Sequence, residues 1–192
     1  MITAIILAAG ESKRMGEPKL LMPWGKSTVL QTVISTFQAA GINDILVVTG
    51  GARQQVESLV GKTVQTIFNE DYEKGEMLSS IQMGLSAKMH EASAALICLG
   101  DQPQVKERSV RSVCDAFLKS HSPIVVPSYE MQRGHPWLVA RPLWDELLEM
   151  KAPRTPRDFL KKHARKIHYV NVDTSSVIED LDTPEDYLKY KS

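Results

Sequence analysis

The segment Leu7-Ala8-Ala9-Gly10-Glu11-Ser12-Lys13-Arg14-Met15-Gly16-Glu17-Pro18-Lys19 leaves an apolar run through small residues. It then sets an arginine and a lysine five positions apart with no hydrophobic face to bury. A loop that only joins two elements has no need of that chemistry. Gly10 permits a positive φ and a close main-chain approach, so that consecutive amides can face an anion. Arg14 offers a planar fork to phosphate oxygens and Lys19 a mobile point charge. These are residue types that hold a polyphosphate; a solvated surface loop is the competing account.

Carboxylates supply the complement. Asp101 stands directly after the apolar run Ala94–Leu99, in Gly100-Asp101-Gln102-Pro103. That is a suitable place for an oxygen ligand to Mg²⁺, which uses few carboxylates and completes its shell with substrate phosphates and water. Capping of the next helix is the rival explanation. Near the other end, Thr183 and Asp186 have capping-box spacing and Pro184 fits a first helical position. Asp180 and Asp182 are left outside that helix, with Asp182, closest to its start, the preferred metal ligand and capping again the rival. Ser79 and Ser80 could donate to a base or ribose, or simply cap a helix. His135, between Gly134 and Pro136, reads as either a substrate contact or a structural residue. His90, His121, His163 and His168 lack ligand spacing and read as surface residues. Trp137 and Trp144 suit either a substrate pocket or the core.

Such groups need a scaffold that brings distant segments to one edge. Thr3–Leu7 reads as a buried strand. Val29, Leu30, Val33, Ile34 and Phe37 recur at helical spacing, with Gly41 where a helix C′ residue would sit. Ile45–Thr49, Val64–Phe68, Ala94–Leu99 and Ile124–Pro127 read as further strands. Helices are expected over Gln54–Val60, around Met77, Ile81 and Leu85, and around Val110, Val113 and Phe117. Tyr129–Met150 and Ala152–His163 carry prolines, tryptophans and mixed charge, and read as an insertion or substrate-facing lobe. A late strand is expected at Ile167–Val172 and a final helix from Pro184. The alternation predicts a doubly wound α/β sheet in one domain spanning 1–192. Ligands of such sheets lie at the carboxyl ends of the strands, which is where both Gly10 and Asp101 fall.

Other classes are excluded by composition and spacing. Lys and Arg total 23 and Asp and Glu total 23, so no overall positive field points to nucleic acid. Cys98 and Cys114 are far apart and form no Cys-x-x-Cys pair, which argues against zinc and for structural thiols in a reducing compartment. The N-terminal apolar run is too short for a membrane span or signal peptide, and the expectation is a cytoplasmic protein. Val60-Gly61-Lys62-Thr63 looks like the end of a P-loop, but Val56 stands where its first glycine belongs, and a turn into the next strand explains it. Ser12 occupies a glycine position of the dinucleotide fingerprint, which therefore fails.

Taken in order, LAAGESKRMGEPKLL, GDQP, RGHP and DLDTPEDY resemble the nucleotidyltransferases of molybdenum-cofactor maturation over nearly the whole chain. The likeness is greatest to the molybdopterin cytidylyltransferase branch, including members that serve purine catabolism and xanthine dehydrogenase. The first motif is shared with sugar-phosphate nucleotidyltransferases; the other three are more selective. The resemblance implies a Rossmann-like, mostly parallel sheet of the nucleotide-diphospho-sugar transferase type. About 1–127 would form the nucleotide-binding half, and about 128–192 the acceptor-binding half and closing helix. It implies that Leu7, Ala8, Ala9, Gly10, Ser12, Arg14, Lys19 and Ser80 bind nucleotide, with Arg14 and Lys19 catalytic. It implies that Asp101 and Asp182 hold Mg²⁺, and that Gln102, Pro103, Gly134 and His135 face the acceptor. Ala9, where guanylyl-transferring relatives have glycine, points to CTP. The implied partners are a nucleoside triphosphate, molybdopterin and a receiving molybdoenzyme or its chaperone. A sugar- or alditol-phosphate nucleotidyltransferase and a non-catalytic cofactor-delivery protein are the alternatives.

Overall fold

Small and branched apolar residues fill β1 (Ile2–Ala8), whose two faces are both covered. The computed structural model describes residues 1–10, 12, 15–74 and 76–191. After the first loop come the short antiparallel pair β2 (Pro23–Trp24) and β3 (Ser27–Thr28), then α1 (Val29–Ala39). Thr28 caps α1 by accepting from the Gln31 amide, and Gly41 ends it with φ +90°. β4 (Ile45–Thr49), α2 (Arg53–Val60), β5 (Gln65–Phe68), α3 (Glu76–Lys88), β6 (Ala94–Leu99), α4 (Glu107–Ser120) and β7 (Ile124–Tyr129) follow. The hairpin strand β8 (Gln132–Arg133) leads into β9 (Trp137–Ala140), α5 (Trp144–Glu149) and α6 (Pro156–Lys162). β10 (Ile167–Asn171), a 3-10 turn at Ser175–Val177 and α7 (Pro184–Tyr190) complete the chain. Val60–Thr63 is indeed a turn: Thr63 Oγ1 donates to the Val60 carbonyl at 2.6 Å.

The main sheet has the order β10-β7-β9-β6-β1-β4-β5, with β8 paired to the outside of that path on β7. β1 pairs in parallel with both β4 and β6, so the chain winds outward on one side of β1 and returns on the other. The crevice at such a reversal is where ligands bind in open α/β sheets. β9 runs against β6 and β7. Alternate residues feed two cores: Ala4, Ile6 and Ala8 face α1, α2, α4 and α7, and Ile5 faces α3.

The tryptophan-rich stretch is not a separate insertion. Its strand β9 lies inside the sheet, and Trp137 and Trp144 are 2% and 0% exposed in the core with Phe159 and Leu147. Trp144 meets its polar need by donating from Nε1 to the Val139 carbonyl at 3.1 Å. His163, expected at the surface, is also buried: its Nε2 lies 2.9 Å from Glu146 Oε2 and its ring against Phe159. Among the described residues no helix is long and apolar enough to cross a membrane.

Candidate active site

A cavity of about 330 Å³ opens at the carboxyl ends of β1 and β6, lined by Leu7, Ala8, Ala9, Gly10, Lys19, Ser80, Asp101 and Asp182 together with Asp180 and Tyr72. Lys19 is part of its wall. Its ammonium touches Asp101 Oδ2, lies 2.9 Å from the Leu181 carbonyl, and reaches Asp182 Oδ1 at 3.5 Å. Lys19 and Asp101 side chains are largely covered, at 15% and 18% exposure, while Asp182 retains 45%. Three N–H donors thus meet three oxygens, the full donor capacity of a lysine.

The local chain places these groups. Among the described residues of the first loop, the left-handed conformations fall on Ser12 (φ 52°) and Gly16 (φ 74°), not on Gly10 as expected. Ser12 can take that role because its Oγ accepts from the Lys19 amide at 3.1 Å, closing the loop onto its own end. A Cβ on Gly10 would meet nothing within 4 Å. The close approach occurs instead at Gly50, where a Cβ would stand 2.3 Å from the Ala9 carbonyl oxygen. Gly100 has a similar constraint, 2.9 Å from the Leu7 carbonyl oxygen, whose lone pair its amide also engages at 3.0 Å. Arg14 lies outside the described residues.

The tail reaches this edge as an extended strip. Leu181 is buried in the core, and its neighbours Asp180 and Asp182 point to the cavity. Leu181 donates to the Asp101 carbonyl at 3.3 Å, and Gln104 Nε2 donates to the Glu179 carbonyl at 2.6 Å. Thr183 and Asp186 form a capping box at α7, so the cap belongs to Thr183 and leaves Asp182 facing the cavity. The capping account of Asp101 fails as well, because α4 begins after Lys106. Ser79 and Ser80 lie within α3 and do not cap it.

Asp180 is the residue that spacing undervalued. Burial, then the neighbouring Asp101 and Asp182 charges, push its carboxyl up to about 6, against the opposing hydrogen bond from Gln102 and the nearby Lys19 charge. Gln102 Nε2 donates to Asp180 Oδ1 at 2.6 Å. Among the described residues the cavity thus carries three carboxyl groups and one lysine, an all-oxygen donor set that suits a hard divalent cation. Among the described residues no group of three or more His, Cys, Asp and Glu side chains is arranged to hold an ion alone. Substrate oxygens would have to complete the shell.

The proposed acceptor residues are placed differently. Gln102 is 2% exposed and spends its amide on Asp180. Gly134 packs so closely on Val177 that a Cβ would lie 2.4 Å from its carbonyl oxygen, and His135 donates its amide to the same carbonyl at 2.7 Å. Burial, with help from the Arg157 charge, lowers the His135 imidazole to about 4. Ser12, Gln102, Pro103, Gly134 and His135 do not line the cavity. Asn69 was not anticipated: buried at 1% exposure, it donates from Nδ2 to Ser79 Oγ at 2.8 Å and to Ser80 Oγ at 3.0 Å. A lone asparagine after a strand gave no signal of that role.

Residues 4–167 match the family model described as the MobA-like NTP transferase domain. The chain belongs to this family. It is a nucleotidyltransferase, in keeping with the expected activity class. The molybdenum cofactor cytidylyltransferase of Escherichia coli is 28% identical over 99% of this chain and 95% of its own length. The nicotine blue oxidoreductase of Paenarthrobacter nicotinovorans is 26% identical over 96% of this chain and 93% of its own. Among solved structures, Rv0371c of Mycobacterium tuberculosis superposes with a TM-score of 0.86 at 27% identity, covering 98% of this chain and 96% of that one. A complex of that protein with manganese superposes with a TM-score of 0.82, at 26% identity and the same coverage.

Proposed function

We infer that the protein transfers CMP from CTP to the terminal phosphate of molybdopterin, releasing pyrophosphate, in support of a molybdenum hydroxylase such as xanthine dehydrogenase. The observation that carries this reading is the meeting of Lys19, Asp101 and Asp182 beside the main chain of Leu7–Gly10. Arg14 belongs to the same loop and is assigned with Lys19 to the triphosphate. The name of the Escherichia coli relative supports the acceptor and the nucleotide, and Ala9 supports CTP over GTP.

An oxygen of the acceptor phosphate attacks the α-phosphorus, and the bond from that phosphorus to the oxygen bridging to the β-phosphorus breaks. The acceptor monoester has its second pKa near about 6 and is mostly dianionic at neutral pH, so no general base is needed. Lys19 and Arg14 neutralise charge as pyrophosphate departs, and the main chain from Leu7 to Gly10 aligns the polyphosphate. Asp101 and Asp182 would hold a divalent ion, Mg²⁺ in this assignment, which supplies further charge neutralisation on the phosphates. Ser80 borders the nucleotide, while Gln102, Pro103, Gly134 and His135 are assigned to the acceptor side.

The test is incubation with molybdopterin, Mg²⁺ and each NTP in turn, reading pyrophosphate and dinucleotide product, with sugar phosphates and alditol phosphates as competing acceptors. CTP with molybdopterin should give the fastest turnover. Preference for a sugar phosphate would move the protein to that branch, and CTP binding without pyrophosphate release would make it a delivery protein.

A further inference from the structure

The ammonium of Lys19 occupies the point at which the tail and the two strand ends converge. It is in contact with Asp101 Oδ2, 2.9 Å from the Leu181 carbonyl and 3.5 Å from Asp182 Oδ1. Those two carboxylates are also the pair assigned to the metal. A divalent ion cannot take oxygens from both while the ammonium lies between them, because like charges at that separation repel strongly in a partly covered site. Lysine has a flexible stem and a charge that any anionic oxygen can satisfy, so it can leave once another anion is offered.

We propose that Lys19 is a resting counter-ion of the Asp101–Asp182 pair and gives up that position to the divalent ion when a triphosphate arrives to receive its ammonium. The exchange makes metal and nucleotide binding mutually dependent. Without nucleotide, the ion must displace a lysine from three oxygen partners. With nucleotide, the same side chain moves onto phosphate oxygens, and both cations gain partners. The resting contact also ties the first loop to the tail across 162 residues of sequence, through the Leu181 carbonyl. This inference rests on the assignment of the metal to those carboxylates.

Its test is titration of the intact protein with Mn²⁺ in the absence of nucleotide, following the free ion by electron paramagnetic resonance. Wild type is compared with Lys19→Met and Lys19→Gln, two neutral replacements of similar length. Removing the competing charge should tighten Mn²⁺ binding by about tenfold or more. Asp182→Asn in the Lys19→Met background should cancel that gain. Unchanged or weaker binding in both neutral variants overturns the proposal, and so does a gain that survives Asp182→Asn. A non-hydrolysable triphosphate analogue should tighten Mn²⁺ binding more in wild type than in Lys19→Met, and equal tightening in the two also overturns it. The functional reading fails on separate grounds, if wild-type protein releases no pyrophosphate with any NTP and acceptor, whatever its Mn²⁺ affinities.

Discussion

In the proposed reaction Lys19 and Asp101 each do something that a neutral side chain cannot. Replacing either by alanine should lower turnover by about two to four powers of ten, the range for removing a group that stabilises developing charge. Steady-state pyrophosphate release at saturating Mg²⁺ measures it, and near-normal turnover in either variant would remove that residue from the mechanism. In the proposed reading Asn69 is a positioning residue that works through Ser80. Its Nδ2 donates to Ser80 Oγ, so the serine proton remains to be offered elsewhere. Asn69→Ala should therefore raise KM for the nucleotide by about tenfold, the effect of one lost buried hydrogen bond, and change kcat much less. An equal fall in kcat would show that the asparagine matters to the reacting geometry. The charged groups were legible because a carboxylate or a cation at the end of a buried run has few structural reasons to be there. Asn69 was not, since its partners lie across a turn and on a helix.

Elements hold those residues at fixed separations, and their tolerances are narrow. Gly84 in α3 faces β1 so closely that a Cβ would stand 2.4 Å from Ile5 Cγ2. Alanine is favoured over glycine by about 1 kcal/mol in a helix, but overpacking a tight core costs about 1–3 kcal/mol. Ile5 is fully buried and has no room to yield, so packing should win. Gly84→Ala is expected to lower Tm despite its better helix propensity; a rise would mean that α3 can slide on the sheet. The loop from β8 to β9 gives a pH signature. His135 has a folded pKa near 4, below the ordinary value of 6.5, so the unfolded state binds more protons between those limits. Its contribution to stability is whole above pH 6.5 and is lost as pH falls toward 4. Asp180, raised to about 6 from 3.8, works in the opposite direction over an overlapping range. Comparing wild type with His135→Gln across pH 4 to 7 isolates the histidine: the variant should lose less stability on acidification, by thermal denaturation. Parallel slopes for the two proteins would refute the buried neutral ring.

At the level of the whole molecule, one sheet edge joins three distant segments. The first loop, the end of β6 and the tail meet there, and α7 is held to the β2 strand by Tyr187, whose ring packs at a tilt against Trp24 and whose hydroxyl donates to the Pro23 carbonyl. A ligand that binds this edge must stabilise the fold as a unit. CTP with Mg²⁺ at about a hundred times its dissociation constant should add about 2.7 kcal/mol, read as a rise in Tm that grows with ligand concentration. GTP at the same concentration should give a smaller rise. Equal shifts would mean that Ala9 does not select the base.

The amino-acid sequence alone determined the α/β alternation, the strand ends that carry Gly10 and Asp101, and the capping box that starts α7. Each follows from local physics: apolar periodicity, an abrupt charge after a buried run, and a side chain that satisfies an amide within one turn. Tertiary structure decided that β9 enters the sheet between β6 and β7, and that Trp137 and Trp144 belong to the core. It also decided that the Lys19 ammonium meets oxygens of Asp101, Leu181 and Asp182, the last 163 residues away. Those choices depend on which distant partner satisfies a strand edge or a buried charge, and no local pattern carries that information.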